Sequence, residues 1–246
     1  MAQIVYGRLP VLNALEGTRK PTVVYLLKES PDQRIVKRCR EVHVRFILAE
    51  KAVLDRMAGT RKHQGALCEV EDFNYADLYA ETEKALTKKA PLVLMLDGLD
   101  DPVNFGSALR ASAAFGVDFV IVRKDRQVGI TPTVVKVSTG ATEMVPVVQV
   151  TNLTTTLEYL KKKGFWSVAA AGGGDTYYDE INYSYPTVII IGNEGFGITD
   201  KVLKAADFIA KIPMPGKVTS LNAAVATAVF LAACIEQRRK SGLLEA

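Results

Sequence analysis

From residue 92 onward, short and almost wholly apolar runs alternate with helix-like stretches, and that alternation constrains the fold more than any other feature. The runs LVLMLDGL, VDFVIV, MVPVVQV, WSVAAA, TVIIIG and DFIAKI show no regular polar alternation that would leave one face in water. Strands of that kind are covered on both faces, the habit of a parallel sheet with helices on each side. Between them the spacing predicts a helix near Val103 to Phe115, a short one opening at Thr131-Pro132, another from Asn152 to Lys163, a short one near Thr199 and a long one near Ser220. The first part of the chain alternates as well. It reads as a helix near Pro10, strand Thr22 to Leu27, helix Pro31 to Val42, strand VRFIL, helix Lys51 to Ala58 and strand ALCEV. Tyr75 to Ala90 is polar and rich in helix formers, and Pro91 follows it. The expected organisation is a small α/β domain over residues 1–75, a linker over 76–91 and a larger α/β domain over 92–246.

Three segments marked by glycine and asparagine lie at the ends of apolar runs: DPVNFGSALRASAAFG (Asp101 to Gly116), IIIGNEGFGIT (Ile189 to Thr199) and IPMPGKVTSLNAAVATA (Ile212 to Ala228). An open α/β sheet binds ligands at the carboxyl ends of its strands, where these segments fall. In the first, Arg110 lies in a helix that reads as apolar almost all round, where burying a charge without a partner is very costly. Gly106, Ser107, Ala113 and Ala114 are its helical neighbours, so no local acid pairs with it. Its partner is either an acid from elsewhere in the fold or a substrate phosphate, which suits the guanidinium fork. Asn104 sits where a helix cap is expected. The second segment spaces its glycines as GxxGxG, unlike the dinucleotide fingerprint, and carries one acid, Glu194, as a base or an anchor. The third holds a proline-stiffened loop, then Ser220 as a candidate cap and an alanine-rich helix.

Composition narrows the chemistry. The chain has 246 residues and a net charge of +4. Residues 1–65 hold 13 Lys and Arg against 6 Asp and Glu, while residues 91–246 are balanced. A basic first module beside a neutral second one points to a polyanion partner, or only to a solvated surface. The two histidines, His43 and His63, both precede the three segments, so a catalytic triad built from the second half alone is excluded. Three widely spaced cysteines suggest neither a disulfide framework nor a metal site. No apolar run or leader pattern suggests a membrane span or export, so a cytoplasmic protein without a membrane partner is expected.

Taken together and in this order, the three segments resemble the signature of the SpoU-type (TrmH-like) RNA ribose 2′-O-methyltransferases, over roughly residues 92–246. VYGRLPVLNALEG and KHQGALCEV are similar to the ribosomal-protein-like RNA-binding domain found ahead of the catalytic domain in many members. The resemblance implies a parallel-sheet methyltransferase domain with a deep trefoil knot, S-adenosylmethionine as cofactor and a homodimer. It implies catalytic roles for Arg110, Asn104, Glu194, Ser220 and Asn222. Gly192, Ile212 and Leu221 would contact the cofactor, with Asn193, Gly195 and Met214 nearby. The implied substrate is a ribose 2′-hydroxyl in structured RNA, ribosomal RNA more than transfer RNA. A non-catalytic RNA-binding protein and a nucleotide-dependent oxidoreductase are the competing readings; the missing fingerprint speaks against the second.

Overall fold

The computed structural model describes residues 2–16, 20–71 and 73–244, which divide into two compact units, Met1–Asn74 with Ile130–Gly140, and Tyr75–Gly129 with Ala141–Ala246. In the first unit, β1 (Ala2–Tyr6), β2 (Val23–Leu27), β3 (Phe46–Ala49) and β4 (Ala66–Glu71) form a sheet in the order β1-β4-β2-β3. Only the β2–β3 pairing is parallel. Helices α1 (Arg8–Glu16) and α2 (Gln33–Glu41) cover it around a core of Val11, Leu15, Leu26, Ile35 and Cys68. Strand β1 was not legible in the sequence, because a five-residue run at a sheet edge becomes a strand only through its pairing with β4.

Helix α6 (Pro132–Ser138) lies far along the chain yet belongs to this first unit. It packs on α1, where Lys136 Nζ reaches Glu16 Oε2 at 2.8 Å and Asn13 Oδ1 at 3.0 Å. His63 and Gln64 are structural residues. Helix α3 (Lys51–Ala58) presents Asp55 to His63 Nε2 at 2.9 Å, and Gly65 N donates to His63 Nδ1 at 3.0 Å. Gln64 Oε1 accepts from Arg8 N at the start of α1.

The second unit is the expected parallel sheet. Its seven strands are β5 (Leu92–Asp97), β6 (Phe119–Arg123), β7 (Val147–Val150), β8 (Trp166–Ala170), β9 (Thr176–Tyr177), β10 (Thr187–Gly192) and β11 (Phe208–Lys211). Their order is β7-β6-β5-β10-β8-β11-β9, with every pairing parallel. Strand β10 is central, with Ile190 opposite Met95 on one side and Ala169 on the other. Helices α5 (Pro102–Ala114), α7 (Ala141–Met144), α8 (Leu153–Lys162), α9 (Asp200–Ala205) and α10 (Ala223–Lys240) complete this unit. Helix α4 (Leu78–Ala85) lies in the segment expected to join the two domains. Ala85 is buried in the core of this unit and Ala76 N donates to Val147 O at 2.8 Å, so the segment is part of the packing.

Arg238 on α10 is only 3% exposed and, among the described residues, forms no ion pair; its hydrogen bonds go to carbonyl and hydroxyl oxygens of the surrounding chain. It donates to the carbonyls of Ala90, Pro91, Tyr183 and Tyr185 and to Thr187 Oγ1. The guanidinium thus ties the start of β5 and the start of β10 to the last helix. The three cysteines are buried and free, and burial pushes the Cys68 thiol up to about 12 and the Cys234 thiol up to about 11, so neither is a nucleophile at neutral pH.

Candidate active site

Three adjacent strands, β10, β8 and β11, end at one rim of the sheet, and the loops leaving them enclose a cleft of about 500 Å³. That volume suits a small organic ligand. The loop after β8 supplies Ala171 and Gly172, the loop after β10 runs from Gly192 to Ile198, and the loop after β11 runs from Ile212 to Leu221. Gly192, Asn193, Gly195, Ile212, Met214 and Leu221, the six residues expected at a cofactor, all line it. So do Glu194 and Ser220.

The β10 loop owes its form to backbone contact. A Cβ on Gly192 would lie 2.2 Å from Gly197 C and 2.3 Å from Ile198 N, so only glycine fits there. Asn193 and Gly197 exchange backbone hydrogen bonds of 3.0 and 2.9 Å, and Gly197 turns the chain at φ +72°. Buried Asn193 donates from Nδ2 to Gly98 O at 2.8 Å and accepts from Gly195 N at 2.7 Å, which anchors the loop to the end of β5.

A hydrogen-bonded chain joins all three sequence segments at this rim. Asn222 caps α10, its Oδ1 accepting from Ala224 N at 2.9 Å and Val225 N at 3.3 Å. Its Nδ2 donates to Asn104 Oδ1 at 2.7 Å. Asn104 Nδ2 in turn donates to Glu194 Oε1, which fixes the carboxylate on its loop. Two expectations are corrected here. The cap of α5 is Asp101, whose carboxylate accepts from Val103 N and Asn104 N, leaving the Asn104 side chain free for the network. Ser220 is not the cap of α10; it is exposed, in the loop before Asn222.

Arg110 stands apart. It lies on the exposed stripe of α5 with Val103 and Ala114, while Phe105, Ala108, Leu109 and Ser112 face the core. The helix is therefore not apolar all round, and Arg110 is not buried. Among the described residues it makes no hydrogen bond or ion pair, and it does not line the cleft. Sequence reasoning missed Asp97, which ends β5 fully buried. Its Oδ1 meets Arg123 Nη1 at 2.9 Å and its Oδ2 accepts from Thr199 N at 2.8 Å and Thr199 Oγ1 at 2.7 Å, so it pins the far end of the β10 loop. An acid closing the run LVLMLD was the available signal.

Both units find counterparts among known proteins. Residues 91–232 match the SpoU rRNA methylase family, and residues 4–76 match the RNA 2′-O ribose methyltransferase substrate-binding domain. A curated relative is the 23S rRNA (guanosine-2′-O-)-methyltransferase RlmB of Coxiella burnetii, 36% identical over 239 residues that cover 95% of each chain. Among solved structures, the SpoU methyltransferase AviRb from Streptomyces viridochromogenes, determined in complex with AdoMet, shares the fold at a TM-score of 0.66 and 24% identity, covering 97% of this chain and 91% of its own. The TrmH/SpoU tRNA modifying enzyme of A. aeolicus is similar over 68% of this chain and 84% of its own, at 27% identity and a TM-score of 0.57. With matches that together span nearly the whole length, and with the three segments meeting at one rim, the chain is a methyltransferase of the SpoU rRNA methylase family.

Proposed function

We propose that this protein transfers a methyl group from S-adenosylmethionine to a ribose 2′-hydroxyl of ribosomal RNA. The observation that carries the reading is the Asn222–Asn104–Glu194 chain at the lip of a cleft sized for a small cofactor. The residues present fit that cofactor. Ile212, Met214 and Leu221 offer apolar surface, while the main chain of Gly192 to Gly195 offers polar groups to an adenosine edge. The cofactor supplies an electrophilic methyl group. The chain's own task is to align the hydroxyl and to receive its proton. Glu194, held by Asn104, is the carboxylate placed to accept that proton, and a phosphate oxygen of the RNA is the other acceptor. Ser220, exposed at the same rim, is placed to orient the ribose. Arginine is effectively always protonated, so Arg110 acts as a phosphate clamp and a stabiliser of developing negative charge, not as a base.

A homodimer gives Arg110 its place. Six residues of helix turn it about 240° from Asn104, away from the network. It therefore completes the site of a second copy. Helix α10 supports such an assembly: Val225 is 49% exposed and Ala232 is exposed beside half-buried Val229 and Ala233, an apolar face unusual on a free surface. The path of the chain supports the trefoil knot. After β8 it runs to β9 at the far edge, returns past two strands to β10, then crosses β8 again to β11. A ribosomal RNA substrate supports a cytoplasmic location; no helix of the described residues is long and apolar enough to cross a membrane.

Thermal denaturation tests the reading. Saturating S-adenosylmethionine should raise the melting temperature, by about 2.7 kcal/mol of stabilisation at a hundredfold excess over Kd, and a nicotinamide dinucleotide should not. The reverse pattern would favour the oxidoreductase. Gly192→Ala forces the Gly197 backbone away, so it should cost about 1–3 kcal/mol of stability and weaken cofactor binding more than tenfold. Cofactor titration with unchanged affinity would detach the β10 loop from the cofactor.

RNA capture is assigned to α2. Arg34 and Arg38 are held by Asp32 and Glu41, each at 2.9 Å, whereas exposed Lys37 and Arg40 pair with no acid among the described residues. Reversing both, Lys37→Glu with Arg40→Glu, should lower the slope of log affinity against log salt by about 1.4–1.8 for two lost phosphate contacts. Cofactor binding should stay unchanged. An unaltered salt slope would remove α2 from the interface.

A further inference from the structure

The β10 loop separates two clefts. Its Gly192–Gly195 side faces the cofactor cleft; its Phe196 and Thr199 side faces a second opening of about 590 Å³, walled also by Gly98, Asp100, Arg126 and Gln127. These walls come from the carboxyl ends of β5, β6 and β10, which are neighbours in the sheet.

This second opening is built around an exposed ring. Phe196 is 61% exposed and makes no aromatic contact among the described residues. Gly98 seats it: at φ +85° a Cβ there would lie 3.2 Å from Phe196 Cζ and 3.3 Å from Arg126 O. The loop carrying Arg126 and Gln127 is held alongside by Val128 N donating to Leu99 O at 2.9 Å. Polar groups around the ring are unspent. The Gln127 amide has both its oxygen and its nitrogen shielded from water without a partner among the described residues, each costing about what a lost hydrogen bond costs. Among the described residues exposed Asp100 uses only Oδ1, in a 3.3 Å contact from Asn193 Nδ2. Arg126 is exposed and unpaired among the described residues.

A flat apolar platform, a cation, a carboxylate with one oxygen open and an unpartnered amide together describe a receptor for a nucleobase attached to a phosphate. We propose that this opening binds an unstacked guanine of the RNA substrate, stacked on Phe196, with its Watson–Crick edge on Asp100. Guanine is selected because N1–H and N2–H form two adjacent donors for one carboxylate; adenine, cytosine and uracil each offer a single donor group on that edge. Arg126 takes the adjoining phosphate, and the Gln127 amide turns toward the base oxygen. The proposal rests on the methyltransferase reading above and adds the residues that choose the nucleotide.

The test uses the full-length protein saturated with S-adenosylhomocysteine, so that the cofactor cleft cannot take up a nucleotide. The 5′-monophosphates of guanosine, adenosine, cytidine and uridine are titrated separately and followed by saturation-transfer NMR. Guanosine monophosphate should bind best, with contacts to the base protons. Phe196→Ala should weaken it about tenfold, as expected for one lost stacking partner, and Phe196→Tyr should restore it. Asp100→Asn should erase the preference for guanosine over adenosine. Equal binding of all four nucleotides, no binding, or indifference to Phe196→Ala overturns the subsite. Melting temperatures with S-adenosylmethionine, taken on the same samples, separate the two readings: stabilisation without guanosine binding sinks only the subsite, and no stabilisation sinks the enzyme reading.

Discussion

Replacing Arg110 with alanine should lower methyl transfer by on the order of a hundredfold or more, the loss seen when a charge-stabilising donor leaves an active site. The fold should be untouched. Arg110 is exposed on α5 and pairs with nothing among the described residues, so its removal strands no buried charge. Alanine is also the better helix former. Melting temperature and cofactor affinity should therefore match the wild type. Lysine should not rescue activity, because a point charge cannot reproduce the planar fork. Mixing Arg110→Ala with Glu194→Gln protein should restore part of the activity if the arginine completes the partner's site. Full activity in Arg110→Ala would remove the arginine from the chemistry. A mixture no better than either variant would return it to its own protomer's site.

Arg238→Met should have the opposite signature, a large loss of stability with no change at the cleft. The guanidinium is pushed below its ordinary pKa by burial but stays charged, and its hydrogen bonds satisfy four backbone carbonyls and Thr187. Methionine keeps much of the volume and leaves those oxygens without donors. Each buried oxygen left without its donor costs about 1–3 kcal/mol, so a loss of several kcal/mol is expected. The denaturant midpoint should fall accordingly with an unchanged m-value. A loss below about 1 kcal/mol would mean that water replaces the guanidinium at little cost.

The parallel sheet was legible because its strands are apolar on both faces, a pattern that depends on local sequence alone. What local sequence could not show was decided by distant partners. β1 is a strand because β4 pairs with it, and α4 is core because Ala85 finds the sheet. At α5, both Asn104 and Asp101 are competent caps. The Asp101-Pro102 pair takes the role, with proline in the first turn, and frees Asn104 for Glu194. At α10, Ser220 and Asn222 compete in the same way, and the contact from Asn222 to Asn104 exists only in the folded chain. The position of the cleft was legible because its lining loops follow the ends of strands. Arg110 was misread as buried because its neighbours are small and apolar, although the helical period places it with Val103 and Ala114 on the outer stripe.

The most direct measurement supplies methyl-labelled S-adenosylmethionine and ribosomal RNA from cells lacking this protein, then digests the RNA to nucleosides. The account predicts label in a 2′-O-methylated nucleoside, at one discrete position, and its loss with Arg110→Ala. Label on a base, or none in RNA from a protein that binds the cofactor, would contradict it.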